Sequence, residues 1–169
     1  RSPASPGGAT LNRSALSAIS KSGTGTATQV AALCFRITKT GKPRILMITS
    51  RGTGRWILPK GWPIPGRSLA ESAAIEAWEE AGVRGVPVDN CLGEFTYDKW
   101  RSELSPVPCV VRVYPVIVTA LQDEFPERHQ RQRAWTSPRK AAGLVQEKAL
   151  KKILTRFDPD GIGSELFHS

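Results

Sequence analysis

The 169-residue chain reads as an α/β protein in which a mixed sheet lies between helices, an α/β/α sandwich. Three observations predict this. Apolar, strand-like runs punctuated by turn signals extend from Val30 to Leu121. One Ala-rich segment in their midst, Leu69–Ala81, is composed of helix-favouring residues. A second segment, residues 138–157 (PRKAAGLVQEKALKKILTRF), has apolar residues at 142, 145, 149, 150, 153 and 154, a helical period.

Taken in order, residues 1–28 are rich in Ser, Gly, Thr and Ala and are expected to be an extension with little hydrophobic drive, with a short helix around 13–20 at most. The domain is expected over 29–158, with 159–169 as a tail. Val30–Ile37 (VAALCFRI) is strand-like, Gly41-Lys42-Pro43 makes a turn, and Arg44–Thr49 (RILMIT) returns as a second strand. Arg55–Leu58 is a short third strand, and Leu58-Pro59-Lys60-Gly61 turns the chain into a loop kept irregular by Pro63, Pro65 and Gly66. Ser68 is the expected N-cap of the first helix, with Glu71 completing a capping box and Gly82 as C-cap. Val86–Val88 and Cys91–Tyr97 follow as strands. Val107–Leu121 (VPCVVRVYPVIVTAL) is the strongest β signal and should cross the core, with Pro115 marking a bulge or an edge. Arg133–Thr136 is a short last strand. Ser137-Pro138 then opens the final helix at N-cap and N1, and Gly143 is expected to split it in two. Trp56 and Trp78 read as core residues, and Trp62 as core, a lid or a stacking surface.

Composition narrows the class. The chain is long enough for one sizeable core, and no run of 18 or more apolar residues suggests a membrane span. No secretory signal is visible. Cys34, Cys91 and Cys109 are odd in number and widely spaced, so buried free thiols are expected rather than a bridge, and a reducing, cytoplasmic setting fits. His129 and His168 give a zinc centre little to build on. A formal net charge of +9 points to anionic partners. Nucleic acid is one reading, although no basic block or aromatic RNA-binding signature accompanies the charge. A small, highly phosphorylated substrate explains it equally well.

The chemistry concentrates in the first helix. Glu76, Glu79 and Glu80 are spaced i, i+3, i+4 and share one face, where like charges repel. Gly82 places them at the negative end of the helix dipole as well. A solvated acidic face is the plain reading of such a cluster taken alone. A bound divalent cation would turn repulsion into attraction, and hard oxygen donors select Mg²⁺ or Mn²⁺.

The stretch from Gly61 to Val83 resembles the signature of the Nudix hydrolases, G-x5-E-x7-R-E-U-x-E-E-x-G-U, with U a bulky apolar residue. Gly61 opens it, Glu76 is the first metal glutamate, Glu79-Glu80 the pair, and Gly82-Val83 the close. Arg67, Ile75 and Ala77 depart from it, Ile75 standing where an arginine normally pairs with the glutamates. The resemblance implies metal-assisted hydrolysis of a diphosphate, with Glu76, Glu79 and Glu80 carrying the cation. It also implies that Glu80 takes the water's proton, unless Asp98, Glu103 or Glu127 does. Flanking runs, Ala32–Arg36, Thr49–Ile57, Glu79–Gly85 and Arg133-Ala134-Trp135, are similar to the diphosphoinositol polyphosphate phosphohydrolases, which also cleave diadenosine polyphosphates. That similarity implies phosphate contacts from Thr49, Ser50, Arg51, Arg133 and Lys148. Arg55 and Lys60 are near enough in sequence to the catalytic loop to join them. An RNA 5′-end or nucleoside triphosphate pyrophosphohydrolase, or a silent Nudix-like binding module, are the other readings. The sequence gives no oligomeric state.

Overall fold

The computed structural model describes residues 26–99 and 107–162. Glu103, His168 and the short helix suggested around 13–20 lie outside them. The strands are β1 (Ala27–Ile37), β2 (Pro43–Thr49), β3 (Trp56–Ile57), β4 (Lys60–Gly61), β5 (Val83–Pro87), β6 (Gly93–Lys99), β7 (Val107–Leu121) and β8 (Arg133–Thr136). The helices are α1 (Leu69–Ala81), α2 (Pro138–Leu144) and α3 (Lys148–Thr155), followed by a 3₁₀ turn at Pro159–Gly161. The final helix divides just after Gly143, as expected.

The strands form one sheet with the order β3-β2-β1-β7-β5, while β4 pairs with β1, β6 with β7 and β8 with β2. Among the described strands, β1 and β7 alone run parallel, from Ala27↔Cys109 to Phe35↔Ile117, so the sheet is mixed. β1 explains the sandwich. Its Ala31, Leu33 and Phe35 pack with Ala141, Val145, Leu150 and Leu154 beneath α2 and α3. The alternate residues Val30, Ala32 and Cys34 pack with Ala70, Ala73, Ala77 and Ala81 of α1. A strand buried on both faces reads as a continuous apolar run, because period-two alternation then carries no polar partner. The alanines leave no long side chains between α1 and the sheet, so the helix approaches closely. Cys34 and Cys109 are buried free thiols and Cys91 a half-buried one.

Four expectations shift. Pro115 marks neither an edge nor a bulge: β7 is interior, with β1 along one side and β6, then β5, along the other. The proline falls where the partner changes from β6, last paired at Val113, to β5, first paired at Val116, so its missing N–H breaks no ladder bond on that side. The bulge lies further along β7 itself: Arg84 and Gly85 of β5 stand opposite Ala120 and Val118, which leaves Thr119 as the extra residue. β5 starts at Val83, directly after the Gly82 cap, rather than at Val86. Lys60–Gly61, read as part of a turn, pairs with Val30 and Ala31 of β1. Trp56 and Trp78 are half-buried rather than core, Trp56 packed against the cluster beneath α2 and α3 and Trp78 with the Arg84 guanidinium 3.8 Å over its ring.

Candidate active site

Helix α1 carries the carboxylates, and both of its ends are fixed. Ser68 accepts a hydrogen bond from Glu71 N–H at 3.0 Å, and Glu71 Oε1 accepts from Ser68 N–H at 2.9 Å. The buried Ser72 hydroxyl accepts from Ile64 N–H at 3.0 Å, tying the preceding loop to the helix. Gly82 closes the helix in the left-handed region at φ 70°, with its N–H bonded to Ala77 and Trp78 carbonyls. With the alanine stripe turned to the sheet, Glu76 and Glu80 face β4 and Glu79 faces the loop between β7 and β8.

Glu76 lies directly against Gly61. A Cβ there would stand 2.5 Å from Oε1 and 2.7 Å from Oε2 of the glutamate. Glu80 Oε1 accepts from Lys60 N–H at 3.2 Å, and its Oε2 lies 3.6 Å from Arg131 Nη2. Glu79 meets the loop through its carbonyl, which accepts from Glu127 N–H at 3.1 Å. Burial raises the Glu76 pKa to about 9, and repulsion from Glu80 and Glu79 adds to it. Burial also raises Glu79, reinforced by Glu127. Glu80 is raised by burial while Arg131 opposes the shift.

Among the described residues, no three acidic, cysteine or histidine side chains converge as a finished metal cage. The donor set nonetheless fits a hard divalent cation. Carboxylates of Glu76 and Glu80 lie within hydrogen-bonding reach of each other, and their ionisation is opposed by burial and mutual repulsion, both of which a cation reverses.

Beside these carboxylates opens a polar cleft of about 290 Å³ lined by Arg51, Lys60, Glu80, Arg131, Gln29 and Tyr97 among others. Ser50 lines it too and builds the turn that presents Arg51, its hydroxyl bonding Thr53 Oγ1 at 2.8 Å and accepting from Arg55 N–H at 3.1 Å. Thr49 supports the wall, its hydroxyl accepting from Gln132 N–H at 2.9 Å. Lys60 holds its ammonium 4.8 Å over the Tyr97 ring, and Tyr97 donates to Gln29 at 2.6 Å.

The other expected cations are placed differently. Arg55 donates to Gln146 at 3.0 Å and pairs with Glu147 at 3.6 Å, in the link between α2 and α3. Arg133 donates to the carbonyls of Ala81 and Gln122 at 2.9 and 3.0 Å, which binds the β7–β8 loop to the end of α1. Lys148 is exposed in the first turn of α3, and the inward lysine is Lys151, which donates to the Ala142 and Val145 carbonyls. Asp98 is exposed on β6, whereas Glu127 stands beside the cluster. Arg131, Gln29 and Tyr97 were not singled out by sequence. Arg131 sits two residues from Arg133 in one basic run, and spacing alone does not choose between them.

The NUDIX domain model matches residues 27–157. The chain belongs to the Nudix family. It is 30% identical over 122 residues to Nudix hydrolase 12, mitochondrial, of Arabidopsis thaliana, covering 69% of this chain and 59% of that protein. It thus spans about three fifths of that relative's length. Similarity to human diphosphoinositol polyphosphate phosphohydrolase 3-beta is 30% over 120 residues, covering 70% of this chain and 68% of that one. Among solved structures, a Caenorhabditis elegans Ap4A hydrolase binary complex shares the fold with a TM-score of 0.60 at 18% identity, covering 80% and 98% of the two chains. No helix among the described residues is long and apolar enough to cross a membrane.

Proposed function

We propose that this Nudix chain is a Mg²⁺- or Mn²⁺-dependent hydrolase of phosphoanhydride bonds, acting on diphosphoinositol polyphosphates, diadenosine polyphosphates or both. The observation that carries this reading is the meeting of two opposite charges at one cleft: Glu80 and its neighbours on one wall, Arg51, Lys60 and Arg131 on the others. A polyanion with its counter-cation is the ligand that satisfies both. Similarity to a diphosphoinositol polyphosphate phosphohydrolase supports the first substrate class.

Glu76, Glu79 and Glu80 would hold the cation. When bound, it neutralises diphosphate oxygens and lowers the pKa of the attacking water. Glu80 accepts the water's proton as the new O–P bond forms and the bridging oxygen leaves with the second phosphate. Glu127 is the alternative acceptor, being adjacent to the cluster. Arg51 and Lys60 orient phosphate oxygens and offset charge in the transition state. Thr49 and Ser50 shape that wall. Arg55, Arg133 and Lys148 serve, in this reading, at its periphery. The three free thiols support a reducing compartment, the cytoplasm in our reading, although several Arabidopsis relatives are named as mitochondrial or chloroplastic.

Phosphate release with and without Mg²⁺ tests the proposal on a diphosphoinositol polyphosphate, diadenosine tetra- and pentaphosphate, nucleoside triphosphates and 5′-triphosphorylated RNA. Mg²⁺-dependent turnover of the first two classes is expected. Preference for RNA or simple triphosphates would reassign the substrate. Polyphosphate binding without turnover would make this a silent binding module, the reading that Ile75 favours.

A further inference from the structure

Helix α1 supplies no cation to its own carboxylates: Ile75 stands before Glu76, and the last turn of the helix holds no basic residue. The charge comes from outside the helix. Arg131, in the stretch leading into β8, has a side chain only 6% exposed. Its guanidinium reaches three separate segments. Nε donates to Glu127 Oε1 at 2.8 Å, Nη1 to the Thr49 carbonyl at 3.1 Å, and Nη2 lies 3.6 Å from Glu80 Oε2. The backbone beside it is pinned as well, since Gln132 exchanges hydrogen bonds with Thr49 through Thr49 N–H to Gln132 O at 3.1 Å and Gln132 N–H to Thr49 Oγ1 at 2.9 Å. Glu80 is therefore gripped on both oxygens, by Lys60 N–H on one and Arg131 on the other.

We propose that Arg131 is a positioning residue that holds Glu80 and Glu127 in one fixed arrangement before cation and substrate arrive, from the segment entering β8 rather than from within the helix. The inference rests on the metal-dependent reading above. A planar fork presents its donors to a carbonyl and two carboxylates in fixed directions, whereas the three rotatable donors of an ammonium on a flexible stem impose no such fixed geometry.

The proposal has an opposite sign from simple electrostatics. Removing a positive charge next to a cation site should tighten cation binding by Coulomb's law. Removing the residue that orders the carboxylates should weaken it. The test is Mn²⁺ binding to the full chain without substrate, by calorimetry or the loss of the free-ion electron paramagnetic resonance signal, for the unaltered protein, Arg131→Gln and Arg131→Lys. Expected are Mn²⁺ dissociation constants raised about tenfold in both variants, and kcat reduced far more than KM is raised. Mn²⁺ affinity unchanged or tighter in Arg131→Gln overturns the proposal, as does a variant whose defect is confined to KM, which would make Arg131 a direct phosphate contact. Should those variants fail to fold, Thr49→Val tests the same point without altering charge. Loss of the hydroxyl that pins Gln132 should raise the Mn²⁺ constant about threefold, and an unchanged constant overturns the proposal. Failure of the unaltered chain to bind Mn²⁺ at all would instead sink the metal-dependent reading, a distinct outcome.

Discussion

The Glu76 carboxyl occupies the space that a side chain at Gly61 would fill, with its two oxygens 2.5 and 2.7 Å from where a Cβ would stand. The glycine that opens the Nudix signature thus serves here to let one carboxylate pass under β4. Gly61→Ala should leave the fold nearly intact, because the end of a glutamate side chain can swing aside. It should displace Glu76, and a displacement near 1 Å costs on the order of 10²-fold in rate. Steady-state kinetics alongside thermal melting check this; normal turnover would show that the position of Glu76 is not critical.

Metal-free stability should fall as pH rises. Glu76 has its folded pKa raised from 4.5 to about 9, so between those values the folded state binds more protons than the unfolded state. Its contribution is then fully present below about 4.5 and lost progressively up to about 9. In EDTA the melting temperature should decline across that window. Glu76→Gln should flatten the decline, and Mg²⁺ should stabilise more at pH 9 than at pH 5. A metal-free protein whose melting temperature rises from pH 5 to 9, with Glu76→Gln rising alike, would contradict the assignment.

Gly82 is held by geometry on two counts. Its φ of 70° disfavours a side chain, and a Cβ would sit 2.6 Å from the Phe125 ring and 2.7 Å from the Gln122 carbonyl oxygen. Gly82→Ala should cost about 1–3 kcal/mol from backbone strain alone. Because Phe125 and Gln122 belong to the loop that carries Glu127, turnover should fall too. Chemical denaturation measures the first effect and kinetics the second.

Much of this was legible in the residues. The carboxylate spacing, both caps of α1 and the break near Gly143 are local features, and the structure holds each where local chemistry places it. Misreadings arose where a partner distant in sequence decides. Pro115 reads as an edge until β6 and β5 are seen to share one side of β7. Lys60–Gly61 reads as a turn because only β1, far back in the chain, makes it a strand. Arg131 and Arg133 are chemically identical and two residues apart, and long-range carbonyls and carboxylates alone assign one to the cleft and the other to the end of α1.

Arg51 reaches the cleft from a turn and, among the described residues, donates to Gln130 alone, at 3.1 Å. A cation presented in this way contributes binding rather than architecture. Arg51→Gln should raise KM about tenfold with kcat changed less than about threefold. A reversed pattern, with kcat falling and KM constant, would place Arg51 in transition-state stabilisation instead.

The most direct test of the central claim is the rate of phosphate release from a diphosphoinositol polyphosphate in Mg²⁺ and in EDTA, for the unaltered chain and Glu80→Gln. The account predicts turnover in Mg²⁺, none in EDTA, and a loss of about 10²–10⁴-fold in Glu80→Gln without a fall in melting temperature. Equal rates in Mg²⁺ and EDTA, or a fully active Glu80→Gln, would contradict it.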